Sequence, residues 1–176
     1  MIASQYALRN AHPQEYQDIG QLMVNAYAQL EGFSTPDEQP RYYQTLANVG
    51  DFTQNPGVEL LVAVAPNGNI GGAVVYFDDI QFYASKGKAT EEKNTAAFRL
   101  LAVDLAHRGN GLGKLLTQAC IHKAQANGAD QLIIHSTNAM KIAWKMYEKL
   151  GFQRSDDLDF MQGTIRVCGF RLWLGK

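Results

Sequence analysis

Leu101-Ala102-Val103, followed after four intervening residues by Arg108-Gly109-Asn110-Gly111-Leu112-Gly113, is the stretch on which the fold turns. An apolar strand runs into a glycine-rich turn, and the turn runs into a helix carrying Leu115, Leu116 and Ala119. Glycine lets backbone N–H groups come close to a ligand. The first N–H groups of the helix have no partner inside it and sit at the positive end of its dipole, so the arrangement suits phosphate or pyrophosphate. Arg108 and Lys114 add positive charge. A connection built only for tightness would use the same glycines and leave Arg108 solvated.

Two familiar phosphate loops do not fit these residues. A P-loop would need Gly at Arg108 and Ser or Thr at Leu115, which argues against a nucleotide triphosphatase. A dinucleotide fingerprint counted from Gly109 would need a third Gly at Lys114, and no βαβ unit precedes it.

Working back from the turn, Thr95 to Val103 reads as an apolar strand, and Ala84 to Asn94 as a polar, exposed loop. Val58 to Ala65 and Ile70 to about Phe82 read as two strands of a hairpin around Pro66-Asn67-Gly68-Asn69. Before them come a helix over Pro13 to Leu30, with Ile19, Leu22, Met23, Ala26 and Tyr27 at helical spacing, and a second helix starting near Asp37 as N-cap. Working forward, the pattern predicts a helix from about Gly111 to Asn127, a strand Gln131 to His135 and a helix Ala139 to Leu150. Closing strands are expected near Phe152 and over Val167 to Leu174. Strand, helix, strand implies a parallel crossover.

The chain has 176 residues, 46% hydrophobic and 19% charged, which fits one compact domain. Its net charge of −1 supplies no field that would recruit nucleic acid or an anionic membrane. Cys120 and Cys168 are too few for a disulfide scaffold, and neither they nor His12, His107, His122 and His135 show metal-ligand spacing, so no metal is expected. Apolar runs such as Leu60 to Ala65 are strand-sized, well short of the roughly 20 residues that span a bilayer. The start of the chain does not read as a signal peptide, which sets a cytoplasmic expectation.

The turn resembles the acetyl-CoA loop of the GNAT superfamily of N-acetyltransferases: Arg or Gln, two residues, Gly, one residue, Gly or Ala. Asn138, Ala143 and Met146-Tyr147-Glu148-Lys149-Leu150-Gly151-Phe152 are similar to the second signature of that family, a helix carrying a Tyr and ending in Gly-Phe. Leu105 departs from the family, standing where many members have Pro. The resemblance implies an α/β (α+β) fold over residues 1–176: a mixed, mostly antiparallel sheet with a splayed parallel strand pair, flanked by about four helices.

It also implies roles. Backbone groups of Leu101 and Val103 would hold the pantetheine arm, and an N–H at Leu101 or Ala102 would stabilise the oxyanion. The pyrophosphate would rest on the turn Arg108, Gly109, Asn110, Gly111, Leu112, Gly113 and Lys114, with Asn138 on the opposite side. Tyr147 would be the catalytic residue, giving a proton to the departing sulfur; outside this context such a Tyr is a core residue of an amphipathic helix. Several members carry a Glu base on the strand before the loop, where this chain has Ala97, and Glu91 and Glu92 read as solvated.

The activity so implied is direct acetyl transfer from acetyl-CoA to a primary amine of a small molecule or peptide, with no covalent acetyl-enzyme. A domain that binds the donor but serves as a sensor is the rival reading, favoured by Ala97. A different acyl donor or a hydroxyl acceptor is a third. Asp156, Asp157 and Asp159 either hold a cationic substrate or solvate a loop, and Tyr27, Phe33, Tyr42 and Tyr43 either line an acceptor pocket or belong to the core. A homodimer is an expectation of the resemblance alone.

Overall fold

The chain begins with a short exposed strand. β1 (Ala7–Asn10) pairs antiparallel with β2 (Val58–Val64), from Ala7↔Val64 to Asn10↔Leu61. The computed structural model describes residues 3–83 and 86–175.

The first expected helix divides in two. Pro13–Glu15 forms a 3-10 turn, and α1 (Tyr16–Ala28) follows it. Glu15 causes the break: its carboxylate accepts from the His12 N–H at 2.8 Å and from both terminal nitrogens of Arg9 at 2.9 and 2.7 Å. α2 (Pro40–Ala47) starts later than Asp37 predicted, because Thr35 and Glu38 close a turn on each other first and Pro40 then takes the first helical position. The helices approach closely at Gly20, where a Cβ would lie 2.1 Å from the Ala47 carbonyl oxygen.

β3 (Ile70–Phe77) ends short of Phe82. Asp79 accepts from the Gln81 N–H at 3.0 Å and caps a 3-10 turn at Ile80–Phe82. Of the expected loop, Ala84 and Ser85 lie outside the described residues, and the remainder contains a 3-10 turn at Ala89–Glu91 with Ala89 buried. Then come β4 (Thr95–Val103), α3 (Leu112–Ala126), β5 (Gln131–Ser136), α4 (Lys141–Lys149), β6 (Gln153–Arg154), β7 (Phe160–Gln162) and β8 (Ile165–Trp173). β7, three residues long, carries too short an alternation to be read from sequence.

The hydrogen-bonded strand order is β1-β2-β3-β4-β5-β8-β6, with β7 on β8. β4 and β5 are parallel, as the helical crossover between them requires. This is the mixed sheet, parallel pair and four helices that the sequence implied.

Two compact units partition the chain. The first holds the described residues up to Val75 together with Leu100–Ala119, and buries Ile19, Met23, Leu46, Val49, Val62, Val74 and Leu116 completely. The second holds Tyr76–Arg99 and the described residues from Cys120 onward, and buries Tyr76, Phe77, Leu132, Ile133 and Phe170 completely.

Candidate functional site

In the first unit, the end of β4 and the start of α3 build the phosphate-type turn. Leu100 sits in the left-handed region at φ +58°, a backbone state rare for a branched side chain, and breaks the extended run just before Leu101. The Leu101 carbonyl accepts the Tyr27 hydroxyl at 3.1 Å. Ala102 is buried, and Val103 leads to Asp104, whose carboxylate accepts the Ala106 N–H at 3.1 Å and starts a 3-10 turn over Leu105–His107. Tyr6 pins that turn through a 2.7 Å hydrogen bond to His107 Nδ1, and Asn110 Nδ2 donates to the His107 carbonyl at 3.0 Å.

Gly109 and Gly111 both have φ +80°, which explains the residue type at each. A Cβ at Gly109 would meet no atom within 4 Å, so the turn faces open space there. Leu112 and Leu116 are buried and anchor the first turn of α3. The Leu115 N–H donates to the Gly111 carbonyl, which leaves the N–H groups of Leu112, Gly113 and Lys114 without a partner inside the helix. Arg108 and Lys114 are exposed.

In the second unit, β4 and β5 hold register only over Thr95–Ala97 with Gln131–Ile133, whereas β5 pairs with β8 along all six of its residues. The parallel pair therefore parts after Ala97. Where β5 ends, the Ser136 and Thr137 hydroxyls are buried with no hydrogen-bond partner among the described residues, and Asn138 is exposed at the head of a 3-10 turn. Buried polar atoms are normally satisfied, so two adjacent unmet hydroxyls leave room for a ligand's polar groups.

Tyr147, on α4, is buried against Phe98, Phe152 and Phe170 at 6.0, 5.7 and 6.3 Å between ring centres. The Gly-Phe signature has a local cause. Gly151 takes φ +100°, its N–H donates to the Glu148 carbonyl and the Phe152 N–H donates to Tyr147, which ends the helix and folds Phe152 back onto the Tyr147 ring. Burial, then the nearby Tyr83 hydroxyl, pushes the Tyr147 phenol well above its ordinary value, so it stays protonated at neutral pH.

Residues 21–152 match the model of the Acetyltransferase (GNAT) family. The chain belongs to the GNAT family.

Among curated relatives, the chain is similar to the N-acetylaspartate synthetase of Danio rerio, 34% identical over 67 residues, 38% of this chain and 24% of the relative. The matched part thus spans about a quarter of that relative's length. Among solved structures, it resembles a GNAT-family acetyltransferase from Staphylococcus aureus Mu50, with a TM-score of 0.71 at 17% identity over 97% of this chain and 99% of the other. It also resembles a GNAT superfamily phosphinothricin acetyltransferase from Sinorhizobium meliloti in complex with acetyl-CoA, with a TM-score of 0.67 at 16% identity over 97% and 89%.

This GNAT chain engages its acidic residues in ways the sequence did not foretell. Asp159 accepts from Arg154 at 3.0 and 2.9 Å, from Arg166 at 2.8 Å and from the Gly169 N–H at 2.8 Å. Arg171 holds Asp157 at 2.7 and 2.8 Å, and Arg154 reaches Asp156 at 3.1 Å. Each of these aspartates has an arginine partner within the chain, and Asp159 alone is largely buried. Glu92, expected to be solvated, is ion-paired with Arg171 and accepts from Gln131 at 3.1 Å. Asp159→Ala is expected to cost about 2 kcal/mol, since it leaves Arg154 and a backbone N–H uncompensated in a half-buried site. In thermal unfolding that is a drop of about 4–8 °C.

Burial alone would push the Asp159 carboxyl up, but the bonds from Arg154, Gly169 and Arg166 together hold it below its ordinary value. The Arg171 fork does the same for Asp157, and the Arg9 fork holds Glu15 down to about 2. Carboxyls depressed in the folded state stabilise it fully above their unfolded values and lose that contribution as pH falls through the folded ones. Unfolding temperature is therefore expected to fall as pH drops from about 4.5 to about 2, the span of Glu15.

Tyr27, Phe33, Tyr42 and Tyr43 form one aromatic cluster, with ring centres 5.5 to 6.1 Å apart. One pair escaped the sequence reading. The Tyr83 hydroxyl lies 3.1 Å from His135 Nδ1, and His135 Nε2 lies 2.9 Å from the Leu158 carbonyl. No local pattern connects positions 52 residues apart, so no sequence signal was available. Among the described residues, no cluster of His, Cys, Asp and Glu is fit to hold a metal, and no helix is long and apolar enough to cross a membrane.

Proposed function

We propose that the chain is an N-acetyltransferase that binds acetyl-CoA and moves its acetyl group to a primary amine of a small molecule or peptide. The observation that carries the reading is the turn at Arg108–Gly113, whose two positive-φ glycines, Gly109 facing open space, lead into the first N–H groups of α3, which have no partner inside the helix. The unmet hydroxyls of Ser136 and Thr137 support a polar ligand where β5 ends, and the names of the relatives support the acetyl donor and amine acceptor.

The proposed roles follow the chemistry of each group. N–H groups of Gly109 to Lys114, with the Arg108 and Lys114 charges, hold a pyrophosphate; backbone groups of Leu101, Ala102 and Val103 line the acyl arm; Asn138 adds a polar contact. Tyr27 already takes the Leu101 carbonyl, which steadies the strand where Leu100 breaks it. Acetyl-CoA, when bound, supplies a thioester whose carbonyl carbon an amine attacks and whose sulfur leaves. Tyr147 holds the proton that the leaving sulfur needs, its phenol being protonated at neutral pH.

The test is thiol release from acetyl-CoA against a panel of amines: amino acids, polyamines, aminoglycosides and peptide N-termini. The expected result is release that depends on both protein and amine. A sensor is the second reading, favoured because Ala97, fully buried opposite Ile133, puts no ionisable group where several family members carry Glu. Donor binding with no release from any amine would support it.

A further inference from the structure

We infer that Tyr83 and His135 form the proton-accepting relay of the transfer reaction, taking the proton that the attacking amine loses. The inference rests on the acetyltransferase reading above. It answers the problem that Ala97 poses, since a neutral amine must lose a proton as it becomes an amide and the strand offers no base there.

The relay stands where the parallel strands part. Register between β4 and β5 ends at Ala97↔Ile133, and two residues further along lie Arg99 and His135. Tyr83 touches both. Its ring stacks on His135 at 5.6 Å with 24° between planes, and the Arg99 guanidinium lies 6.0 Å from its centre while donating to the Tyr83 carbonyl at 3.1 Å. Phe77 and Phe160 close the cluster edge-on, against Tyr83 at 5.5 Å and against His135 at 5.1 Å.

Hydrogen bonding fixes the direction in which a proton can move. The Leu158 carbonyl only accepts, so His135 Nε2 carries the ring hydrogen; in the neutral ring Nδ1 is then a bare acceptor facing the Tyr83 hydroxyl. Charged and titratable groups around the ring oppose one another. Burial lowers its proton affinity, the Leu158 bond and the Asp159 charge raise it, Arg99 lowers it, and the net lies below the ordinary histidine value. The ring is thus neutral at pH 7, ready to accept, with Asp159 near enough to favour the imidazolium once formed. Tyr83 also lies within electrostatic reach of Tyr147, so acceptor and donor of protons share one locality.

The step balances. As the C–N bond forms, the amine proton passes to the Tyr83 oxygen while the Tyr83 proton passes to His135 Nδ1. As the C–S bond breaks, the sulfur takes the Tyr147 proton. For an amine that arrives neutral, the proton gained by His135 equals the one Tyr147 has lost, and its return through solvent restores both groups with no net uptake or release; an amine that arrives as ammonium first releases one proton to solvent.

The test begins with the wild type in the amine panel, because a protein that releases no thiol with any amine overturns the acetyltransferase reading and the relay with it. Given turnover, Tyr83→Phe, which keeps the stack, and His135→Gln should each lower kcat at least tenfold with acetyl-CoA affinity unchanged. The double variant should be no slower than the worse single one, and His135→Gln should lose the acid limb of the wild-type kcat profile, which lies below the ordinary histidine value. Variants that keep wild-type kcat and its acid limb, or that only lower the unfolding temperature, overturn the relay. Nitrogen-15 NMR of wild-type His135 gives a readout free of both mutation and turnover: a neutral ring protonated at Nε2 at pH 7 supports the relay, and one protonated at Nδ1, or charged, overturns it.

Discussion

Gly111→Glu is expected to weaken acetyl-CoA binding at least ~100-fold, about 3 kcal/mol. Space is not the obstacle, since the nearest atom to an added Cβ at Gly111 is the Ala3 Cβ at 3.6 Å, an ordinary contact. Two other effects combine. At φ +80° any side chain strains the turn, and a carboxylate placed there repels the phosphate charge that the N–H groups of Leu112, Gly113 and Lys114 would attract. Gly111→Ala separates them, because it carries the strain without the charge. On this account the alanine variant binds with a loss of about tenfold, from ~1–2 kcal/mol of backbone strain, and the glutamate variant binds far more weakly. Equal affinity in wild type and Gly111→Glu, measured on folded protein, would remove the turn from the donor site.

Tyr147→Phe is expected to lower kcat about 100-fold, with acetyl-CoA affinity and unfolding temperature nearly unchanged. The ring packs on Phe98, Phe152 and Phe170, all contacts that phenylalanine preserves, and the hydroxyl makes no hydrogen bond to a described residue. Losing it therefore costs the fold little, and a large fall in rate would report the chemistry alone. A core tyrosine with no part in the reaction predicts the opposite, an unchanged kcat. The two expectations differ by two orders of magnitude, well beyond experimental scatter.

What the sequence made legible was local or strongly periodic. The turn at Arg108–Gly113 combines residue types that only a positive-φ backbone and a helix start require, and the structure places Gly109, Gly111 and the start of α3 accordingly. The Leu150-Gly151-Phe152 signature was equally legible because a helix stop is built within a few residues. Strands β4 and β5 were found to within one residue, Ser136 being the addition.

What escaped depends on partners far along the chain. Asp159 looks like a loop aspartate until Arg154, Arg166 and the Gly169 N–H converge on it. Glu92 gains its role from Arg171, 79 residues away. Element ends were lost to single side chains, Asp79 at the end of β3 and Glu15 before α1, because a capping bond outweighs the weak preference that continues a strand or helix. The left-handed Leu100 was invisible for another reason: leucine does not favour that conformation, and only the surrounding structure imposes it.

Calorimetric titration of the wild-type chain with acetyl-CoA and with coenzyme A, alongside Gly111→Glu, tests the central claim most directly. The account predicts that the wild type binds both ligands one to one and that the variant binds neither measurably, since the turn recognises the portion the two ligands share. A wild-type chain that binds neither ligand, or a folded variant that binds them as the wild type does, would contradict it.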